Sequence, residues 1–121
     1  MVNIKSKLNV CDNSGALIVE CIKVLGKKKN IAKLGDKLIV TIKRYKYGYK
    51  INKGDLKYCI LVRYKKPTLR SNGVFLSFGE NSVVIINDKN NPIANRIKGC
   101  VSYELRKLKL FKVILLSSYI I

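Results

Sequence analysis

The apolar residues of this chain come in short runs, each closed by a turn signal, and none keeps a helical period for long. That pattern predicts strands gathered into a small antiparallel barrel or sandwich. Residues 8–10 lead into Asp12-Asn13-Ser14-Gly15, a cluster whose side chains favour tight turns. Residues 17–25 form a second strand, apolar on both sides and so expected to be covered on both. Gly35-Asp36 opens residues 37–44, where Leu38, Val40 and Ile42 alternate with Lys37, Thr41 and Lys43, the period of a half-buried strand. Tyr45, Tyr47 and Tyr49 continue the alternation, with Lys46 and Lys50 opposite. Lys53-Gly54-Asp55 returns the chain into residues 56–64, with Tyr58, Ile60, Val62 and Tyr64 on one face and Lys57 and Arg63 on the other. Residues 37–64 are therefore expected to form a long hairpin with a projecting tip. Asn72-Gly73 marks a second hairpin with a type I′ turn. Residues 82–87 read as a buried strand and 88–92 as a polar loop. Val101, Leu105 and Leu108 share one stripe, which predicts one or two short amphipathic helical turns packed on the core.

Length and charge narrow the class. The 121 residues suit one domain with its own core, and no repeat or linker divides them. Lys and Arg total 25 against 7 Asp and Glu, a net charge of +18. A compact body with that charge repels itself, and a polyanion relieves the cost. No segment approaches the apolar length of a membrane span, so no membrane partner is expected. The start, Met1-Val2-Asn3-Ile4-Lys5, has no secretory or transit character. The protein is thus expected to begin near Met1 and to be made where it works.

Catalysis has little to build on. Histidine is absent, and Asp12, Asp36, Asp55 and Asp88 all sit in turn signals. No carboxylate pair, nucleophile elbow or phosphate-cradling loop is present. Cys11, Cys21, Cys59 and Cys100 contain no C-x-x-C pair. They are expected as free thiols, with no metal and no cofactor. Nucleic-acid binding, by contrast, has several parts. Lys27, Lys28 and Lys29 form a cationic loop. Lys43, Arg44, Lys46, Tyr47 and Lys50 interleave cations with aromatics, which either stack on bases or pair across a hairpin. Arg63, Lys65, Lys66 and Arg70 make a third patch, and Arg96, Lys98, Arg106, Lys107, Lys109 and Lys112 a fourth. Planar forks make Arg63, Arg70 and Arg96 the expected phosphate grips. A free single-strand RNA-binding module and an RNA-cleaving enzyme are the competing readings of these residues.

These residues resemble a known family, the universal large-subunit ribosomal protein fourteen of bacterial and organellar type. The likeness spans essentially the whole chain. It is carried by Asp12-Asn13-Ser14-Gly15-Ala16, Cys21-Ile22-Lys23-Val24-Leu25-Gly26, Thr41-Ile42-Lys43 and Lys53-Gly54-Asp55. Ile60-Leu61-Val62 followed after nine residues by Asn72-Gly73 is its most specific part, and Arg96-Ile97, Gly99 and Glu104-Leu105-Arg106 close it. Departures are Cys59 for a small residue, Ala94-Asn95 for Gly-Thr, and Lys98 and Cys100 for Phe and Pro. The resemblance implies a mainly β fold: a five-stranded antiparallel barrel with a projecting β-ribbon and short C-terminal helical turns. It implies a non-catalytic constituent of the large ribosomal subunit. Such a protein binds large-subunit rRNA, touches neighbouring ribosomal proteins and bridges to small-subunit rRNA. Lys23 and Lys53 join the RNA-binding set on this basis. Asn95, Arg96 and Lys112 match the block on which a ribosomal silencing factor docks. The Lys-, Ile-, Asn- and Tyr-rich composition suggests an AT-rich genome, and so a mitochondrial ribosome ahead of a plastid or bacterial one.

Overall fold

A computed structural model describes all residues except Met1, Lys27 and Lys29. The strands are β1 (Val2–Asn3), β2 (Lys7–Val10), β3 (Ala16–Val24), β4 (Ile31–Ala32), β5 (Lys37–Tyr45), β6 (Leu56–Arg63), β7 (Thr68–Leu69), β8 (Phe75–Leu76), β9 (Ser82–Ile86), β10 (Cys100–Val101) and β11 (Tyr119–Ile120). Two short helices, α1 (Glu104–Lys107) and α2 (Phe111–Leu116), precede β11. Strands β2-β3-β5-β6-β9 close into a barrel. Its one parallel contact, β2 with β9, completes the ring, so the barrel has no free edge. Among the described residues, no helix is long and apolar enough to cross a membrane.

The two-residue period of β6 and β9 divides the core in two. Cys59, Leu61, Val83 and Ile85 point into the barrel with Leu8, Val19, Leu38, Val40 and Ile42. Ile60, Val62, Val84 and Ile86 point outward and pack against Ile97, Val101, Leu105 and Val113. A C-terminal layer thus covers the outer face of β6 and β9, which is why their apolar runs show no polar face. The outer face of β3 has no such cover: Leu17 and Ile22 are exposed, contrary to the expectation of burial on both sides. A register shift between Leu61 and Arg63 also moves Tyr64 off the face of Ile60 and Val62 and into the barrel cluster.

The predicted long hairpin is only half paired. The β5–β6 ladder ends at Thr41↔Leu56, whereas β3 pairs along the other edge of β5 from Val24↔Leu38 out to Ala16↔Tyr45. Residues 46–55 therefore form a loop, and the tyrosines make no cross-strand ladder. The separate two-stranded ribbon is β7 with β8. Its turn is not type I′: Gly73 has φ +83°, whereas Asn72 is not among the positive-φ residues. Gly73 N–H donates to Arg70 O at 3.0 Å and Arg70 N–H to Val74 O at 2.9 Å. This is a three-residue loop whose last residue supplies the left-handed turn.

The C-terminal stripe also differs. Val101 and Leu105 are fully buried, but Leu108 is exposed just beyond α1. The chain then folds back so that β11 pairs in parallel with β10. Arg70 holds this layer to the ribbon. Its Nε and Nη2 donate to Glu104 Oε1 and Oε2 at 2.7 and 3.2 Å, and Nη2 also reaches Ile121 O at 2.6 Å. Burial pushes the Glu104 carboxyl up, but the bonds from Arg70 and Ser102 outweigh it, and the net shift is downward.

All four cysteines are buried free thiols, and burial pushes Cys11 up to about 12. The turn cluster behaves as its residues require. Asp12 Oδ1 accepts from Ser14 N–H and Oγ–H at 3.1 and 2.5 Å, and Oδ2 accepts from Ile85 N–H at 2.9 Å. Gly15 sits at φ +103°, where an added Cβ would lie 2.5 Å from Tyr49 Cβ.

Two outcomes follow. Gly15→Ala combines left-handed strain with that overlap and should cost about 2–5 kcal/mol. Gly54→Ala, at φ +87° with open space around it, should cost only about 1–2 kcal/mol. Denaturant unfolding of both variants checks this, and equal losses would contradict it. Because the folded-state pKa of Glu104 is depressed, its contribution is present above the unfolded pKa and lost as pH falls through the folded one. Glu104→Gln should therefore cost about 1.5–3 kcal/mol near pH 7, and the gap to wild type should close as pH drops below about 4. A gap constant from pH 7 to pH 3 would refute this.

Candidate RNA-binding surface

Three stretches far apart in sequence meet at one end of the barrel. They are the Asp12–Gly15 turn, the loop after β5, and the segment that leads into β10. Main-chain bonds fix the meeting: Lys46 N–H to Gly15 O at 2.7 Å, Asn13 N–H to Arg96 O at 3.2 Å, and Lys98 N–H to Cys11 O at 2.6 Å. Asn13 Nδ2–H also donates to Asn95 Oδ1 at 2.6 Å. A cleft of about 360 Å³ runs between Tyr49, Lys50, Ile93 and Asn95. A smaller one of about 50 Å³ has Lys46 and Lys98 in its walls. Cations of the second and fourth sequence patches thus share one surface. Arg44, Lys46, Lys50, Arg96 and Lys98 are all exposed there.

Little negative charge offsets them. Asp12 lies under this end, buried, with both oxygens bonded. Burial raises its pKa, and the bonds from Ser14 and Ile85 act the other way. Asp36 and Asp55 accept from the main-chain N–H groups of Lys33 and Asn52 at 2.7 and 3.0 Å, closing their own turns. Glu20 lies 3.7 Å from Lys43 on the barrel wall. Glu80 and Glu104 pair with Arg63 and Arg70.

Those last two pairs change the reading of the arginines. Arg63 Nη2 donates to Glu80 Oε1 at 3.0 Å and to Ser82 Oγ at 3.2 Å, while Nη1 donates to Lys98 O at 3.2 Å. Its fork is occupied inside the protein, holding the segment that displays Lys98. An added Cβ at Gly99, itself at φ +79°, would run into Nη1. Arg70 is likewise occupied by Glu104 and Ile121. The expectation that both present free forks to phosphate is not met, because each is more than three-quarters buried beside a carboxylate. Arg96 alone of the three is exposed.

The remaining sites are dispersed. Lys23 and Lys28 are exposed at the far end of β3, roughly 20–25 Å from the converging loops by strand rise. Lys27 and Lys29 lie outside the described residues. Lys53 is exposed on the turn into β6, and Arg106 on α1. Lys65 and Lys66 are exposed after β6, where Lys66 shares a cleft of about 430 Å³ with Lys33. Lys112 Nζ donates to Asn91 Oδ1 at 2.7 Å, which ties α2 to the segment that carries Asn95 and Arg96. Lys89 and Lys109 join Lys112 around a cleft of about 410 Å³. Sequence reasoning passed over Lys33 and Lys89, since only the fold brings them beside other cations. Among the described residues, no three His, Cys, Asp or Glu side chains cluster as metal ligands would.

What remains is a closed barrel, a cationic end built from converging loops, and five of the seven carboxylates committed to turns and braces. The family model described as ribosomal protein L14p/L23e matches residues 1–121, the full length of the chain. The chain belongs to this family of structural, non-enzymatic proteins of the large ribosomal subunit.

Proposed function

We propose that the protein binds large-subunit rRNA through the barrel end formed by Arg44, Lys46, Lys50, Arg96 and Lys98. The observation that carries this reading is the convergence itself. Two cationic patches separated by some fifty residues of sequence are fastened side by side by main-chain bonds, with Asp12 the one carboxylate beneath them, buried and internally bonded. Such a surface costs self-repulsion when the protein is free and loses that cost against phosphate. The barrel acts as a rigid mount, and RNA strands that converge on its end are neutralised and held together. Lys23, Lys28 and Lys53 lie away from that end and suit other RNA strands, so the protein would tie several segments together. Lys27 and Lys29 belong with Lys23 and Lys28 by sequence.

Asn95, Arg96 and Lys112 form the face we assign to a protein partner, a silencing factor by family resemblance. Support comes from the Lys112–Asn91 bond, which holds α2 beside that segment. Contact with small-subunit rRNA across the subunit interface follows from the same resemblance. The AT-type composition favours a mitochondrial ribosome as the location. A free single-strand RNA-binding module remains the second reading, favoured by the exposed tyrosine in the loop after β5.

Sedimentation of the tagged protein from its source at moderate salt separates the two. Recovery with intact large subunits supports the first reading, and recovery at the top of the gradient with mixed short RNAs supports the second. With purified rRNA, Arg96→Ala should lower the slope of log K against log salt by about 0.7–0.9, the effect of one lost phosphate contact. Its unfolding midpoint should stay unchanged. Arg63→Ala should do the reverse and lose about 1.5–3 kcal/mol of stability, through the lost bonds to Lys98 O and Ser82 Oγ rather than through the half-exposed Glu80. An Arg96→Ala variant with an unaltered salt slope would contradict the assignment.

A further inference from the structure

We propose that Tyr47 is a stacking platform for one unpaired RNA base, an inference that deepens the RNA-binding reading above and rests on it. The three tyrosines of the loop have different roles. Tyr45 ends β5, pairs with Ala16 and packs against the barrel interior. Tyr49 presses its Cβ and Cγ onto Gly15, so closely that a Cβ there would lie 2.5 and 2.6 Å from them. Two residues on, Ile51 is buried in the barrel core. Lys46 N–H is tied to Gly15 O at 2.7 Å. The loop is therefore anchored on both sides of Tyr47, which is itself 94% exposed. No other large apolar side chain among the described residues is as exposed.

An aromatic ring in water forgoes the burial that its size would give. Here the ring is left uncovered by the described residues, while its neighbours along the chain are fixed. The ring is displayed on a preorganised mount, so a partner need not order the loop first. Gly48, next to it, has φ +93° and open space where a Cβ would be, which leaves one side of the tip clear for close approach. Arg44 near the end of β5 and Lys46 and Lys50 in the loop are exposed and supply the charge for phosphates on either side of a base. A ring with cations before and after it matches the stacking of single-stranded nucleic acid, where the π-face serves any base. A base inside a duplex presents no free face, so the ligand is an unpaired nucleotide in a loop or bulge.

The test is binding of the full-length protein to its own large-subunit rRNA, comparing wild type with Tyr47→Ala, Tyr47→Leu and Tyr47→Phe. Stacking predicts that Tyr47→Ala and Tyr47→Leu weaken binding about 5- to 150-fold, while Tyr47→Phe stays within about twofold. The salt slope should be the same in all four, since no phosphate contact is lost. Thermal unfolding should also coincide, because the side chain is almost wholly exposed in the free protein. Wild-type affinity in Tyr47→Ala, with rRNA binding intact, overturns the stacking and leaves the RNA-binding reading standing. Equal affinity of the leucine and phenylalanine variants overturns it too, since burial alone would then suffice. Failure of wild type to bind its rRNA at all overturns the underlying reading.

Discussion

Seven carboxylates face twenty-five cationic side chains, and folding must hold this excess of like charge in one small body. The core resists that repulsion by burying both faces of β6 and β9. The carboxylates resist it by their placement. Asp12, Asp36 and Asp55 close turns through main-chain N–H groups, and Glu80 and Glu104 each hold an arginine that ties a distant segment down. Five of the seven acids are thus used where they fix the backbone. The cations on loops and barrel ends are left facing outward, where a polyanion can reach them.

The second core follows from this arrangement and positions the site. The C-terminal layer over Ile60, Val62, Val84 and Ile86 brings the residues around Arg96 and Lys98 back to the Asp12–Gly15 turn. Arg63, rooted in β6, holds Lys98 from beneath. Arg70, beyond β7, holds Glu104 in α1. The packing that stabilises the barrel wall therefore also fixes where the cations point, and loss of a brace would disturb both.

The strand pattern was legible in the sequence because a two-residue period is local. Leu38, Val40 and Ile42 were read correctly, as were the turns at Asp12, Asp36 and Asp55, whereas the turn at Asp88 is closed by Asn87, whose Oδ1 accepts from the N–H groups of Lys89 and Asn91. What escaped was which distant partner each edge, turn and side chain meets. The tyrosine alternation continued that of β5, yet the β6 ladder stopped at Thr41↔Leu56, and beyond it only β3, on the other edge of β5, stays paired out to Tyr45. Asn72-Gly73 announced a hairpin, but loop length, which two residues cannot reveal, selected a different turn. Arg63 and Arg70 looked free because Glu80 and Glu104 lie 17 and 34 positions away. For the same reason the approach of Lys46 to Lys98 had no sequence signal. The parallel return of β11 onto β10 also had none, being two residues long with no turn motif before it.

The most direct test of the account is amine-reactive footprinting of the lysines, read by mass spectrometry, on the free protein and on the protein within intact large subunits. If the barrel end is the rRNA-binding surface, Lys46, Lys50 and Lys98 react readily in the free protein and are strongly protected in the subunit. Should these three react equally in both states while lysines elsewhere become protected, the barrel end is not where this protein meets RNA.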